Sequence, residues 1–307
     1  MSQINLSISQ LHKAYSNGEL SPATLIKELT EQANQQEAVW LHVLSAQEPA
    51  PYLKALESKS LETHPLYGVP FAIKDNIDLA GIPTTAACPE FTYTPENSAF
   101  VVEQLIEAGA IPIGKTNLDQ FATGLVGTRS PFGETPNAFD PDYISGGSSS
   151  GSAVATASGM VSFALGTDTA GSGRVPACFN NLVGVKPSKG LLSNTGMVPA
   201  CKSIDCMSIF ALDATDANKV LQVAAKYDPQ DSYSRKNPPA NQQPVLVKHA
   251  FSFAVPLPEQ LKFFGDEGYK NEFAKAVNEL QNMGALKKSS TLAHYLKLPH
   301  FFTKGLG

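Results

Sequence analysis

The chain has 307 residues, 17% of them charged, and its 23 Lys and Arg against 28 Asp and Glu leave a net charge of −5. A chain of this length buries most of the apolar surface it exposes when unfolded, and needs no disulfide or metal to hold it together. With no basic cluster in the sequence, counterion-release binding to nucleic acid or to a membrane surface has no electrostatic footprint, so neither is an expected partner.

The opening residues, Met1 to Asn5, lack the basic and apolar regions of an export signal, which predicts a cytoplasmic protein. Ser21-Pro22 ahead of Leu25, Ile26 and Leu29 reads as a capped helix start, and residues 1–65 are expected to form a helical N-terminal part. Val69, Phe71 and Ile73 then alternate, and the run stops at the turn-forming Asp75-Asn76, which puts Lys74 at the end of a strand. Ser98 is placed to cap a helix through Val101, Val102, Leu105 and Ile106, closed by Gly109 and leading into a strand at Ile111 to Gly114. The uncharged stretch from Tyr143 to Thr167 is too rich in Ser and Gly for a membrane span and reads as a buried small-residue segment, with a helix over 152–159 and a strand over 161–165. Thr215 to Ala224 is a further helix, and the polar, Pro-containing 235–244 is a loop or subdomain junction. A strand through Phe251, Phe253 and Val255 and a helix through Phe273, Val277 and Leu280, ended by Gly284, follow. Helix and strand alternate throughout, which defines an α/β fold.

Four cysteines, Cys88, Cys178, Cys201 and Cys206, contain no CxxC pair and fit buried thiols in a reducing compartment better than disulfides or zinc; no metal and no cofactor is expected. Hydroxyls and glycines instead concentrate in 145–152 and 166–174. A flexible linker is a poor account of them, because an apolar helix and strand separate the two runs. A phosphate cradle needs Lys after its glycine loop, where this chain has Ser152. A G-x-S-x-G nucleophile elbow can be read at 147–151, with His249 as downstream base, but residues 139–144 are no β-branched strand. The third reading is a serine activated by something other than His, since none of the six histidines lies in or beside these motifs whereas Lys74 ends a strand.

Gly-Gly-Ser-Ser-Ser-Gly-Ser-Ala from Gly146, Gly-Thr-Asp-Thr-Ala-Gly-Ser-Gly-Arg-Val-Pro from Gly166, Val-Gly-Val-Lys-Pro from Val183 and the strand 69–76 together resemble the amidase signature family. The resemblance runs from Leu66 to about Asp213 and implies a mixed central β-sheet covered by helices on both faces, with 66–213 as the signature core of one incomplete domain spanning 1–307. It implies Ser172 as nucleophile, Ser148 on a cis peptide as bridging serine, Lys74 as terminal base, Gly124 as a backbone contact to substrate, and Ser149, Asp168 and Arg174 as supporting residues. Lys74 can take a proton only as the neutral amine, so its pKa must fall from about 10.4 through burial or hydrogen bonding. The glycine-bearing turn Thr169, Ala170, Gly171 and Ser172 can aim its N–H groups at one point as an oxyanion hole.

Within that family, residues 117–130, 201–208 and 258–266 look like the allophanate hydrolase branch, which implies hydrolysis of allophanate, a small anionic urea derivative, to ammonia and carbon dioxide in urea or cyanuric acid breakdown. The expected partner is that small-molecule amide, with homodimerisation left open. The family continues past Gly307 with Leu-Tyr-Glu-Gly and with a Tyr and an Arg that hold substrate, whereas this chain closes with Pro299 to Gly307; a frameshift or truncation near Leu298 is the expectation, checked by sequencing the gene beyond that point. Two alternatives stay open: a catalytically impaired amidase fragment, and the glutamine amidase component of a tRNA transamidation complex.

Overall fold

The computed structural model describes residues 4–45, 47–239 and 251–290, in two compact units, Met1–Gln242 and Gln243–Gly307. The first unit opens with helices α1 (Ile8–Ser16) and α2 (Pro22–Ala33), and a short helix α3 (Ala50–Ala55) follows. Pro22 sits in the first turn of α2 and the Ser21 hydroxyl accepts from Thr24 N at 3.1 Å, the capping arrangement that the sequence predicts.

Six strands form one mixed sheet: β1 (Trp40–Val43), β2 (Pro70–Lys74), β3 (Ile111–Thr116), β4 (Phe163–Asp168), β5 (Val183–Val185) and β6 (Cys206–Ala211), in the spatial order β1-β3-β2-β4-β6-β5. Central β2 runs parallel to β3 and β4, while β1 and β6 pair antiparallel to β3 and β4. Alternation along the strands separates two cores. Phe71, Ile73, Phe163, Leu165, Met207 and Ile209 face α4 (Phe100–Glu107) and α7 (Ala214–Ala224); Ala72, Ile111, Ile113, Ala164 and Phe210 face α2 and α5 (Ser150–Ala157). Helices therefore cover both faces. Covered on both sides, β2, β3 and β4 are buried at every position, including the polar residues at their C-terminal ends.

Three details depart from the sequence reading. Ala99, not Ser98, occupies the cap position of α4, because the Ser98 hydroxyl is taken by Ala80 N at 3.0 Å. The strand expected from Val161 opens at Phe163, where the ladder with β2 begins at the Phe71–Phe163 pair. All four cysteines are free, as expected, but only Cys206 is buried: Cys178, on the short helix α6 (Val175–Phe179), and Cys201, in a loop, are exposed, and Cys88 is half-buried. The uncharged stretch 143–167 folds as loop, α5 and most of β4, and no helix among the described residues is long and apolar enough to cross a membrane.

The second unit pairs β7 (Ser252–Pro256) parallel with β8 (Leu286–Ser290) around α8 (Glu267–Asn282), whose cap, Asp266, accepts from Tyr269 N at 2.8 Å. That cap starts the helix ahead of the apolar positions that reveal it in the sequence. Residues 240–244 of the predicted junction, His249, and the divergent tail from Leu298 lie outside the described residues.

Candidate active site

Lys74, the last residue of β2, is completely buried. Its Nζ contacts three hydroxyls: Ser148 Oγ at 2.7 Å, Thr167 Oγ1 at 2.8 Å and Ser149 Oγ at 3.0 Å. Ser149 occupies the cap position of α5 but makes no cap; its hydroxyl donates to the Thr167 carbonyl at 3.1 Å. With its own hydrogen committed there, Ser149 can only accept from Lys74, whereas Ser148 has a hydrogen to offer the amine. Burial pulls the Lys74 pKa down to about 7, against the opposing charges of Asp119, Asp168 and Asp205.

Ser148 follows a cis Gly147–Ser148 peptide, and its carbonyl accepts from Asp119 N at 3.1 Å. Ser172 is buried on the turn after β4, its Oγ donating to the Gly124 carbonyl at 3.4 Å. The fold thus joins Lys74 to Ser148 and Ser149, and Ser172 to Gly124, while Ser148 and Ser172 are not hydrogen-bonded to each other. Among the described residues, the backbone N–H groups of Thr169, Ala170, Gly171 and Ser172 donate to no protein acceptor, leaving four donors on the turn that carries Ser172.

Asp168 and Arg174 hold that turn. Arg174 grips Asp168 through Nε and Nη2, each at 3.0 Å, and Gly173 N donates to the same carboxylate at 3.0 Å. Burial alone pushes the Asp168 carboxyl up, but the hydrogen bonds from Arg174 and Gly173 and the guanidinium charge outweigh it and hold it below the usual range. The Thr169 hydroxyl is bonded to Asp205, which also accepts from Cys201 N at 2.9 Å.

Thr167, Asp119 and Asp205 are the site residues that the sequence reading gave no role. Each lies inside a segment that it singled out, but nothing in the residue type marks one threonine or aspartate among several. A second buried lysine was also missed. Lys115 on β3 pairs with Asp75 at 2.8 Å, both side chains being at most 1% exposed, and donates to Thr84 Oγ1 at 3.0 Å. Asp75 accepts in turn from Thr85 N at 2.9 Å, so the pair anchors the segment that follows Lys74. Lys115→Met leaves the Asp75 charge buried without its cation and is expected to cost about 3–5 kcal/mol, read as a lower midpoint in urea unfolding. An unchanged midpoint would show that the pair contributes no stability.

A buried lysine on the central strand of a mixed α/β sheet, bonded to a serine on a cis peptide and followed by a second buried serine on a glycine-rich turn, is the arrangement that the resemblance to the amidase signature family implies. Residues 24–303 match the family model described as Amidase, and the chain belongs to that family. It is 52% identical over 248 residues to the urea amidolyase of Saccharomyces cerevisiae, an alignment taking in 80% of this chain and 13% of that protein. The solved SeMet-substituted allophanate hydrolase of Kluyveromyces lactis superposes with a TM-score of 0.85 at 45% identity, over 95% of this chain and 48% of that one. A glutamyl-tRNA(Gln) amidotransferase component of Geobacillus kaustophilus is 36% identical over 301 residues, covering 96% of this chain and 62% of that protein. The chain therefore spans less than two thirds of each of these relatives.

Proposed function

We propose that this chain carries the hydrolytic centre of an allophanate-cleaving amidase, with Ser172 as nucleophile, Ser148 as proton relay and Lys74 as base. The observation that carries this reading is Lys74 itself: a buried amine whose pKa of about 7 lets it exist neutral near neutral pH, in contact with the Ser148 hydroxyl. A serine hydroxyl is a weak nucleophile until a neighbouring base accepts its proton. As Ser172 Oγ turns from the Gly124 carbonyl and attacks the substrate carbonyl, its proton passes to Ser148 Oγ while the Ser148 proton passes to Lys74 Nζ. The oxygen of the tetrahedral intermediate accepts from free N–H groups of the turn from Thr169 to Ser172, and loss of one such donor costs about 3–4 kcal/mol of transition-state stabilisation. The carbon–nitrogen bond then breaks, the proton returns through Ser148 to the leaving nitrogen, and ammonia departs. Water attacks the Ser172 ester by the same route and restores the serine.

The substrate assignment rests on the similarity to urea amidolyase and to an allophanate hydrolase. Ammonia release from allophanate, urea and glutamine by the full chain tests it, with Ser172→Ala as the blank. Release from allophanate alone is the expected result. Release from glutamine alone would move the assignment to the transamidation class, and release from none would mark the chain as a catalytically impaired fragment.

A further inference from the structure

We propose that Asp119 is a positioning residue of this site: its buried carboxylate fixes the segments carrying Ser148 and Gly124 against each other and lays a negative charge beside Lys74. The inference rests on the reading of Lys74 as the base. The Asp119 side chain is fully buried, and among the described residues its carboxylate is held by backbone alone, accepting from Arg129 N at 2.8 Å, Gly127 N at 3.1 Å and Val126 N at 3.3 Å. The backbone N–H of the same residue donates to the Ser148 carbonyl. Gly124 and Gly147 both pack so tightly on this carboxylate that a Cβ at either position would overlap Asp119 Oδ2. One side chain therefore touches the glycine before the relay serine, the glycine whose carbonyl receives the Ser172 hydroxyl, and the loop between them.

The other charged groups around Lys74 are differently employed. Asp168 is gripped by Arg174, Asp75 is paired with Lys115, and Asp205 is held by Thr169 and Cys201. Asp119 makes the largest charge contribution opposing the burial of Lys74. That carboxylate packs against Gly147, next to the Ser148 whose hydroxyl contacts Lys74 Nζ at 2.7 Å, and a nearby opposite charge favours the charged form of an amine, so removing it lowers the pH at which Lys74 deprotonates.

The test uses the full chain labelled with 13Cε-lysine, the Lys74 signal being assigned by its loss in Lys74→Met and followed by NMR against pH. Asp119→Asn is expected to move the Lys74 midpoint down from about 7 by at least about one unit, and to move the acid limb of kcat/KM for ammonia release with it. A folded D119N chain whose midpoint equals that of the parent overturns the proposal, even where kcat has fallen, since a merely structural role lowers kcat without moving the titration. Where D119N does not fold, Asp119→Glu keeps the charge and displaces the backbone cradle: a loss in kcat of about tenfold or more with the midpoint kept near the parent value supports the proposal, and any other result overturns it. A parent chain that is active while Lys74 titrates near its ordinary 10.5 defeats instead the reading of Lys74 as base.

Discussion

Ser172→Ala is expected to abolish ammonia release, lowering kcat by at least about 10,000-fold while the fold and its unfolding midpoint stay near those of the parent. The structure explains why the two effects separate. The Ser172 hydroxyl makes a single long hydrogen bond, to the Gly124 carbonyl, so deleting it removes little stabilising energy and leaves no buried donor unpaired. The same deletion removes the atom that forms the acyl bond, and Ser148 and Ser149 do not replace it, since both hydroxyls are engaged by Lys74. The four N–H groups of the turn remain in S172A, so residual substrate binding is expected with no acyl transfer. Hydroxylamine added during turnover provides a second readout: the parent chain is expected to yield the hydroxamate by capture of the Ser172 ester, and S172A none. Ammonia release at the parent rate by S172A would remove Ser172 from the mechanism.

The parts of this site that could be read from sequence are those fixed by local pattern. Val69, Phe71 and Ile73 alternate because one face of β2 packs on α4 and α7, and that period, with the turn-forming Asp75-Asn76 after it, places Lys74 at the strand end. Ser21-Pro22 marks α2 because cap and first turn are adjacent in the chain. What escaped depends on partners distant in sequence. Ser98 has the chemistry of a cap, but Ala80, 18 residues away, claims its hydroxyl. Ser149 has the position of a cap, but Thr167 and Lys74 claim it. Cys178 and Cys201 are exposed because of which side of a short helix or loop they fall on, a choice made by tertiary packing and invisible to a rule about residue type. The residues that set the Lys74 environment, at 119, 167, 168 and 205, come from three separate segments of the chain, so their convergence is a property of the β2–β4–β6 neighbourhood and its loops.

Lys74→Met is expected to remove turnover and, unlike S172A, to change how stability depends on pH. In the folded chain the amine has a pKa of about 7, against about 10.5 when exposed. Between those values the unfolded chain binds the proton and the folded chain does not, so this group makes stability rise with pH from 7 to 10.5. Below 7 both states are protonated, and the folded chain bears the full cost of a buried ammonium. Methionine has a similar length and no charge, so K74M escapes that cost. It also leaves Ser148, Ser149 and Thr167 without the hydrogen bonds that Lys74 supplied, a loss that is the same at every pH. The difference in Tm between K74M and the parent is therefore expected to shift in favour of K74M as pH falls from 10 towards 7, and to level off below that, as measured by thermal unfolding across the range. Over the same interval kcat/KM of the parent is expected to fall on the acid side with an apparent pKa near 7, since only the neutral amine accepts the proton passed on from Ser172. A Tm difference independent of pH would show that Lys74 is not forced to choose between charge and burial, and it would remove the physical basis for its role as base.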